Sequence, residues 1–368
     1  MHKQSSLRKK HSLNRRDFLR VGGVVGAASV AAACGRITDP GSQRVPTPVP
    51  PPTGVASAAA EQRLPSPTSP PLDTPAASPA SVQDGQAVVR FAHISDMHIE
   101  PTGPGVDGLT RALRHVHALD PPVDFVLNTG DCVMDSLEVD KDRARRQWDA
   151  FTAVMDAECS LPVYHAIGNH DVWGWGLPSG LQGSLRADPL FGKGLALERL
   201  GHMSRYYSFD QGGWRFIVLD STHRSDASSV LAYTGKLDEE QYGWLISQLD
   251  GTPSSTPICI VSHIPILAAC EYLDGDNEST GNWVVPGAWM HIDARRLWGL
   301  FWQHPNVKLC LSGHTHQVED LRYHGVKYLT NGAISANWWY GPYFDFPPGY
   351  VIVTLYADGS SESEFATY

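Results

Sequence analysis

The chain has 368 residues, 42% of them hydrophobic, and a formal net charge of −10 at pH 7. That length is sufficient for one large α/β domain or two smaller ones. The acidic balance argues against nucleic acid as a partner, because a phosphate backbone is attracted to basic surfaces.

Residues 1–34 are predicted to be an export signal. The Arg15-Arg16 pair precedes an apolar run that is too short to span a bilayer. The pair and its flanking "DFL" resemble a bacterial twin-arginine signal, which implies passage through the twin-arginine translocase. The stretch "AAACG" resembles a lipoprotein cleavage site with Cys34 as the acylated residue. Ordinary cleavage and retention of the signal as a membrane anchor are the alternatives.

Residues 35–86 are predicted to be a linker. The segment is rich in Pro, Ser, Thr and Ala and almost devoid of aromatic residues. Chains of this composition are extended and act as semi-rigid spacers. We therefore expect a folded domain over 87–368, tethered to a membrane and located in the periplasm or at the cell surface.

Strand-like and helix-like segments alternate from residue 87 onward, which is typical of an α/β domain. The buried-strand candidates are "AVVRFAHISD", "VDFVLNTGD", "LPVYHAIGNHD", "WRFIVLD", "PICIVSHIP" and "VKLCLSGHTH". Helices are predicted over 107–119, 141–157, 238–249 and 292–303. The segment "VEDLRYHGVKYLTNGAIS" predicts a hairpin, and "GYVIVTLYADG" predicts a closing strand. Two stretches, 172–205 and 266–291, show neither the hydrophobic periodicity of a helix nor that of a strand, and they are predicted to be functional loops.

Polar side chains follow almost every predicted buried strand. Open α/β sheets place ligands outside the carboxyl ends of their strands, so these side chains are expected at one sheet edge. Each short motif alone is a weak signal, but their order along the chain makes the set a strong one. The residues are Asp96, His98, Asp131, Asn169, His170, Asp171, His263, His314 and His316.

The residue types in this set indicate a transition-metal site. Imidazole together with carboxylate suits Zn, Fe or Mn, whereas Ca and Mg prefer oxygen ligands. Seven ligands are too many for one ion and suit two ions that share a bridging ligand. We therefore expect two divalent ions, with Mn, Fe and Zn as the candidates.

The ordered motifs D-x-H, GD, GNHD, a single His and GH-x-H resemble those of the calcineurin-like metallophosphoesterases over about residues 88–335. The resemblance implies a four-layer α/β/β/α sandwich with a dinuclear site at the carboxyl ends of the strands. It also assigns the ligands, with Asp131 bridging the two ions. The first ion would be held by Asp96, His98, Asp131 and His316, and the second by Asp131, Asn169, His263 and His314.

The resemblance further implies hydrolysis of a phosphate ester by a metal-bridging hydroxide that attacks in line with the leaving group. By the same resemblance, His170 supplies a proton to the leaving oxygen, and Asp171 orients the His170 imidazole. The alternative for Asp171 is a turn-forming residue, and both roles are compatible. A separate physical argument explains why position 169 carries a neutral amide and not a carboxylate. A carboxylate in its place would cancel the positive charge that the two ions offer to an incoming phosphate.

The substrate is expected to be a small phosphodiester. Purple acid phosphatases carry a tyrosine shortly after the bridging Asp, and "GDCVMDS" has none. The pattern is closer to the class III cyclic-nucleotide phosphodiesterases and the general phosphoesterase branch. A phosphomonoesterase is the main alternative, and a non-catalytic surface binding protein on the same scaffold is a second one.

Four tryptophans are predicted to contact the substrate. Trp173 and Trp175 follow the catalytic His-Asp pair, and Trp338 and Trp339 lie in an aromatic segment after the last metal-binding motif. Exposed aromatic rings beside a metal centre can stack on a base, a sugar or a glycerol group. The alternative is that these rings pack in the core beneath the long loops.

Overall fold

The computed structural model describes residues 85–225, 232–273, 278 and 281–368, all of which fall within one unit that spans residues 77–368. The predicted export signal, its candidate acylation site Cys34 and the predicted linker up to residue 84 lie outside the described residues, as does part of the predicted loop 266–291. None of the helices in the described ranges has the length and apolar character needed to cross a membrane.

Thirteen strands and six α-helices make up the described part of the chain. The strands are β1 (Ala87–Ile94), β2 (Phe125–Asn128), β3 (Val163–His165), β4 (Tyr207–Gln211), β5 (Trp214–Val218), β6 (Thr222–Arg224), β7 (Tyr233–Gly235), β8 (Ile258–Val261), β9 (Val307–Ser312), β10 (Val318–Tyr323), β11 (Val326–Asn331), β12 (Gly349–Tyr356) and β13 (Ser361–Thr367). The helices are α1 (Gly105–His117), α2 (Lys141–Glu158), α3 (Ser179–Leu185), α4 (Gly194–Leu200), α5 (Glu239–Gly251) and α6 (Ala294–Gln303), and Cys270–Tyr272 forms a single 3₁₀ turn.

Two mixed sheets contain most of the strands. The first has the order β13-β12-β1-β2-β3, and its strands β1, β2 and β3 are parallel. The second has the order β10-β11-β9-β8-β5-β4, and its strands β5, β8, β9 and β11 are parallel. In each sheet the parallel strands end at a common edge, so the loops that follow them are neighbours.

The faces of the two sheets that oppose each other form the central core. Phe91 of β1 stacks on Phe125 of β2 with a centroid distance of 4.8 Å, and Phe216 of β5 meets Phe91 edge-on at 5.8 Å. The next residue of β1, Ala92, lies in a separate cluster because successive side chains of a strand point to opposite faces. The inter-sheet layer is therefore built from alternate residues of each strand.

The outer face of each sheet is covered by helices. On the first sheet, Ile94 lies in one cluster with Leu109 of α1 and Trp148 of α2. On the second, Ile260 lies in one cluster with Leu245 of α5 and Leu297 of α6. The predicted four-layer α/β/β/α arrangement is confirmed.

The sequence-based prediction missed the edge elements. The edge strands β4 and β13 have half-exposed or alternating burial, so they lack the continuous apolar runs of the buried strands. The short β6–β7 hairpin gave no signal either. The predicted loop 172–205 contains two short helices, α3 and α4, each of seven residues.

Candidate active site

The seven predicted metal ligands lie on five loops that follow β1, β2, β3, β8 and β9. These loops come from both sheets, and the cluster therefore joins their carboxyl ends. All seven side chains are buried, with exposures of 5% or less. They are Asp96, His98, Asp131, Asn169, His263, His314 and His316.

Three of these residues converge on one point. Nε2 of His316 lies 3.3 Å from Oδ1 of Asp96 and 3.1 Å from Nε2 of His98. Oδ1 of Asp96 is buried and accepts no hydrogen bond from any residue that the structure describes. A buried carboxylate oxygen without a donor is costly unless a cation meets it, which is what a metal ion at this point would do.

A second group converges beside the first. Nε2 of His263 lies 3.3 Å from Oδ2 of Asp131, 3.0 Å from Oδ1 of Asn169 and 3.1 Å from Nδ1 of His314. The same Oδ2 of Asp131 lies 3.8 Å from Nε2 of His98 in the first group. Asp131 therefore stands between the two groups, in the position that a bridging ligand requires.

Backbone carbonyls fix which ring nitrogen of His263, His314 and His316 faces the centre. Nδ1 of His263 donates to the carbonyl of Thr129 at 2.9 Å, and Nδ1 of His316 donates to the carbonyl of Ala336. In His314 the ring is reversed, because Nε2 donates to the carbonyl of Ala288 at 2.9 Å. Such bonds orient a metal-binding imidazole and leave its other nitrogen unprotonated.

This arrangement fits metal ions. With the proton held on the outer nitrogen, the facing nitrogens of His263 and His314 present lone pairs to each other at 3.1 Å. Two lone pairs at that distance repel each other unless a cation lies between them. The donor set of imidazole nitrogens, carboxylates and one amide suits divalent transition metals. The sequence did not reveal the backbone acceptors, because a carbonyl carries no residue-specific signal.

Most of the ligands have an unusual backbone conformation. Asp96, His98, Asp131, His314 and His316 have φ angles between 47° and 70°. Non-glycine residues adopt this left-handed region at an energetic cost, and such residues concentrate at functional sites. Here all five residues lie in the short segments that follow β1, β2 and β9.

Two glycines allow the loops after β2 and β3 to touch. Gly130 has a φ of +105°, and a Cβ atom on it would lie 2.4 Å from the backbone nitrogen of Gly168. A Cβ atom on Gly168 would lie 2.1 Å from Oδ1 of Asp131. A side chain at Gly130 would push the two loops apart, and one at Gly168 would displace the Asp131 carboxylate, which explains glycine in the motifs "GD" and "GNHD".

Asp171 does not have the predicted role. Its buried carboxylate accepts backbone N–H bonds from Asp131 (3.0 Å), Cys132 (2.8 Å) and Gly168 (2.9 Å). The His170 imidazole donates instead to the carbonyl of Met134. The prediction that Asp171 orients this ring is therefore wrong. Asp171 fastens the loop after β3 to the loop after β2 and so fixes the position of Asp131.

His170 lies at the edge of the metal-binding cluster. Its ring centroid is 4.6 Å from that of His98, and the two rings meet edge-on. His170, His98 and Asp131 each bring a potential ligand atom within 4.8 Å of the others. Its backbone N–H donates to Oδ1 of Asp131 at 2.8 Å. His170 is half-buried, in contrast to the seven ligands, so its ring is open to a substrate.

The pKa values of Asp131 and His98 favour the forms that bind metals, whereas burial lowers but Asp131 raises the pKa of the His263 ring, to about 9, so a metal ion there would have to displace a proton. Burial opposes ionisation of Asp131, but His263 and His170 hold the pKa of its carboxyl well below the usual value. Burial and the nearby His170 hold the pKa of His98 well below that of free imidazole. An ionised carboxylate and a neutral imidazole are the forms that coordinate metals.

The four tryptophans that were predicted to contact the substrate differ in burial and in their contacts. Trp173 is 1% exposed, belongs to the core of the first sheet and donates its indole N–H to Val139. The Trp339 indole donates to the carbonyls of Met97 and His98, and its ring fills the space that a Cβ on Gly108 would take. For Trp173 the prediction of substrate contact is wrong, because its ring is packed in the core, whereas the half-buried Trp339 stays a prediction.

The other two tryptophans remain candidates as well. The Trp338 ring is 6% exposed and lies 4.4 Å from the His316 ring and 5.7 Å from the His98 ring. Trp175 is half-buried, with the Lys193 ammonium 5.3 Å from its ring centroid. Trp338 packs directly on two predicted ligands and so limits the rotation of their rings.

Two acidic residues beside His170 were not predicted from the sequence. Asp135 and Glu138 belong to the stretch after Asp131, and the backbone N–H of Ser136 in the same stretch donates to the carbonyl of His170 at 2.8 Å. Burial and the neighbouring Asp135 raise the pKa of Glu138, while His170 acts in the opposite direction. Glu138 is therefore close enough to the His170 ring to influence what binds there.

Comparison with known proteins places this geometry in context. The sequence model of the calcineurin-like phosphoesterase family matches residues 89–318. A 3′,5′-cyclic-nucleotide phosphodiesterase from Nostoc sp. is 23% identical over 292 residues, which cover 74% of this chain and 90% of that protein. A 3′,5′-cyclic adenosine monophosphate phosphodiesterase from Escherichia coli is 25% identical over 299 residues, covering 76% of this chain and 90% of that protein.

One solved structure supports the fold. A dimetal phosphatase from Danio rerio superposes with a TM-score of 0.52 and 17% sequence identity, covering 77% of this chain and all of that chain. At this identity the likeness shows a shared architecture alone.

Proposed function

This chain belongs to the calcineurin-like phosphoesterase family, and from that premise we propose that it hydrolyses small phosphodiesters. The family makes the protein a hydrolase of phosphoric ester bonds with a dinuclear divalent metal site. The observation that carries the proposal is the convergence of two donor groups that share Asp131. The curated relatives, both of which are named as phosphodiesterases, support the choice of a diester.

Asp131 and His170 have different roles in the proposed reaction. Asp131, which lies between the two predicted ligand groups, would contribute to holding both divalent ions, and bound ions would supply positive charge that binds a phosphate and acidifies water. His170 holds its Nδ1 proton on the Met134 carbonyl, so its Nε2 faces the centre. In the protonated ring this Nε2–H is the donor for the leaving oxygen.

The charges near the site favour a diester over a monoester. Within the described residues, the cationic partners of Asp96 and Asp131 are histidine rings, with no lysine or arginine among them. Glu138 adds negative charge near His170, and Asp135 lies near Glu138. A phosphodiester carries one negative charge and a phosphomonoester close to two at neutral pH, so carboxylates near the site repel the monoester more strongly.

The test is hydrolysis by the full chain loaded with Mn or Zn. We expect a higher kcat/KM with bis-p-nitrophenyl phosphate than with p-nitrophenyl phosphate, and turnover of a 3′,5′-cyclic nucleotide. A monoester preference with both metals would identify a phosphomonoesterase instead. Absence of turnover from protein that holds two ions per chain would contradict the proposal altogether.

Glu138→Gln is expected to shift the substrate preference toward monoesters. Removing one negative charge beside His170 should raise kcat/KM for p-nitrophenyl phosphate about 3- to 10-fold and leave the diester nearly unchanged, since the repulsion is greater for the doubly charged substrate. Steady-state kinetics on both substrates measures the ratio. Glu364→Gln, on the exposed face of the edge strand β13, is the matched control and should change neither rate. Equal changes with both substrates would exclude a charge-based selection at Glu138.

Asn169→Asp is expected to lower activity without loss of metal. The Asn169 amide oxygen is 3.0 Å from Nε2 of His263, inside the second donor group. A carboxylate there binds a cation at least as well but removes one unit of positive charge from the phosphate site. We expect kcat/KM to fall about 10²-fold, because a unit charge at ~4 Å is worth a few kcal/mol near a protein surface.

Metal analysis by mass spectrometry should still find two ions per chain in Asn169→Asp. Gln303→Glu adds the same charge at the exposed end of α6 and should leave kcat/KM unchanged. An Asn169→Asp enzyme as active as the parent would show that charge at this ligand does not limit the reaction.

We propose further that the protein is exported and tethered to a membrane. The support is the sequence of residues 1–34, with its Arg15-Arg16 pair and the candidate acylation site Cys34. Replacement of both arginines by lysine should retain the protein in the cytoplasmic fraction, and Cys34→Ser should release it from the membrane fraction. Unchanged fractionation of the double lysine variant would overturn the export proposal, and unchanged fractionation of Cys34→Ser would overturn the lipid anchor.

A further inference from the structure

A tight turn at residues 343–346 ends a series of aromatic rings that begins at the metal-binding cluster. The centroid of the Tyr343 ring lies 5.7 Å from that of the predicted ligand His316 and 5.7 Å from that of Trp338. The Phe344 ring lies 4.8 Å from the Tyr343 ring and meets it edge-on. Phe344 is therefore two ring contacts away from a predicted metal ligand.

The rings of this series differ in exposure. Trp338 is 6% exposed and Tyr343 is 3% exposed, so both rings pack against each other and against His316. Phe344 is 55% exposed, although a phenylalanine contributes to stability chiefly when its ring is buried. The series therefore ends in an exposed aromatic ring that is supported from below by Tyr343.

The backbone that carries the Phe344 ring is strained. The Tyr343 N–H donates to the Phe346 carbonyl at 2.9 Å, and the Phe346 N–H donates to the Tyr343 carbonyl at 2.8 Å. The two residues between them, Phe344 and Asp345, have φ angles of 44° and 69°. A two-residue turn with positive φ at both central positions favours glycine and asparagine, and a bulky side chain there is unfavourable.

Turns of the same kind elsewhere in the chain contain glycine. The β4–β5 turn is Gly212-Gly213, with φ angles of 57° and 82°, and the β10–β11 turn has Gly325 as its second residue, with a φ of 82°. The turn formed by Phe344 and Asp345 contains no glycine, and burial of the exposed phenyl ring does not offset its strain. Strained residues of this kind concentrate at ligand-binding sites, so we infer a binding role for the ring.

We propose that Phe344 binds the flat aromatic group of a phosphodiester whose phosphate lies at the metal-binding cluster. The enzyme would then prefer diesters that carry such a group, of which a nucleobase is one. The inference rests on the proposed function, because it requires a phosphodiester at the cluster. Aromatic side chains stack on flat rings, and every nucleobase offers such a face. The turn and the Tyr343 ring hold Phe344 in place before the substrate arrives, which reduces the entropy lost on binding.

The spacing between Phe344 and the cluster suits a nucleotide. One ring, that of Tyr343, separates the His316 ring from the Phe344 ring. In a 3′,5′-cyclic nucleotide one sugar ring separates the phosphate from the base, which is a comparable distance. A base can therefore contact Phe344 while its phosphate lies beside the histidine ligands.

The test compares two diesters that have the same reacting bonds, using the full chain loaded with Mn. One is 3′,5′-cyclic AMP, and the other is ribose 3′,5′-cyclic phosphate, which lacks the base. Phe344→Leu keeps an apolar side chain but removes the flat ring. It should lower the ratio of the two kcat/KM values about 5- to 100-fold, the range expected for one base stacked on an aromatic ring. Most of the loss should appear in KM, and Phe344→Tyr should preserve the ratio.

Two further variants separate stacking from structural damage. Tyr323→Leu is the matched control, because Tyr323 is an aromatic residue that is 46% exposed beside the β10–β11 turn, and it should leave the ratio unchanged. Phe344→Asn combined with Asp345→Gly should relieve the strain of the turn and raise the melting temperature, yet lower the ratio as Phe344→Leu does. A double variant that melts below the parent would contradict the strain argument and, with it, the proposal.

Calorimetric titration of the loaded protein with AMP distinguishes failure of this proposal from failure of the proposed function. If neither diester is hydrolysed but Phe344→Leu weakens AMP binding about fivefold or more, the stacking contact is supported and the proposed function is wrong. If both diesters are hydrolysed and Phe344→Leu changes neither the ratio nor the AMP affinity, the stacking contact is wrong and the proposed function stands. Absence of both turnover and AMP binding in the parent would overturn both.

Discussion

Asp131→Asn is expected to lose metal from both groups and at least about 10³-fold of kcat/KM. Oδ2 of Asp131 lies 3.3 Å from His263 of one group and 3.8 Å from His98 of the other, so a single substitution weakens both. The metal ions stabilise developing charge by several kcal/mol, and each 1.4 kcal/mol is tenfold in rate. Asparagine keeps an oxygen that can accept the His170 N–H, which preserves the local shape.

Metal content and diester kinetics, measured on the same preparation, check this result. Asp149→Asn is the matched control, because this carboxylate is 58% exposed on α2 and pairs with Arg199. It should retain two ions and the parent rate. An Asp131→Asn protein that keeps two ions per chain and loses less than tenfold in rate would rule out a bridging role for Asp131.

His170→Ala is expected to lower the rate according to the leaving group. With a 3′,5′-cyclic nucleotide the leaving oxygen is an alkoxide that needs a proton, and loss of a general acid costs about 10²- to 10⁴-fold. A nitrophenolate is stable as an anion, so bis-p-nitrophenyl phosphate should lose about tenfold or less. The half-buried His170 ring brings a potential ligand atom near His98 and Asp131, but His170 is not one of the seven predicted ligands.

Kinetics of both substrates with the same enzyme preparation gives the two losses side by side. Metal content should remain at two ions per chain, which separates His170→Ala from a ligand variant. His202→Ala is the matched control, since this half-buried histidine stacks on Tyr207 at 5.0 Å. An equal loss with both substrates would contradict proton donation and indicate that His170 only binds the phosphate.

Asp171 shows how a residue can be found correctly and interpreted wrongly. Its place in "GNHD" suggested a partner for the neighbouring imidazole, since adjacent residues are an obvious pair. In the structure the Asp171 carboxylate accepts hydrogen bonds from three backbone N–H groups of two loops. Burial together with Asp131 raises the pKa of Asp171 to about 6. Its contribution is therefore to hold Asp131 in place.

The sequence by itself determined the fold class and the chemical types at the site. Buried parallel strands need continuous apolar runs, and these runs are visible without a structure. Since parallel strands end at one edge, a polar residue after each run is already located. Thus Asp96 and Asp131, which follow strands of the first sheet, could be placed together, but the expectation of a single sheet edge is wrong for His263, which follows β8 of the second sheet. The edge strands β4 and β13 lack such runs and escaped detection.

The tertiary structure alone decided how the site is held. The orientations of the His263, His314 and His316 rings depend on backbone carbonyls far along the chain, and a carbonyl is the same for every residue type. The left-handed turns at five ligands are energetically unfavourable locally and persist because the surrounding packing imposes them. Trp173 could not be separated from exposed tryptophans, because burial is set by segments that the local sequence does not contain.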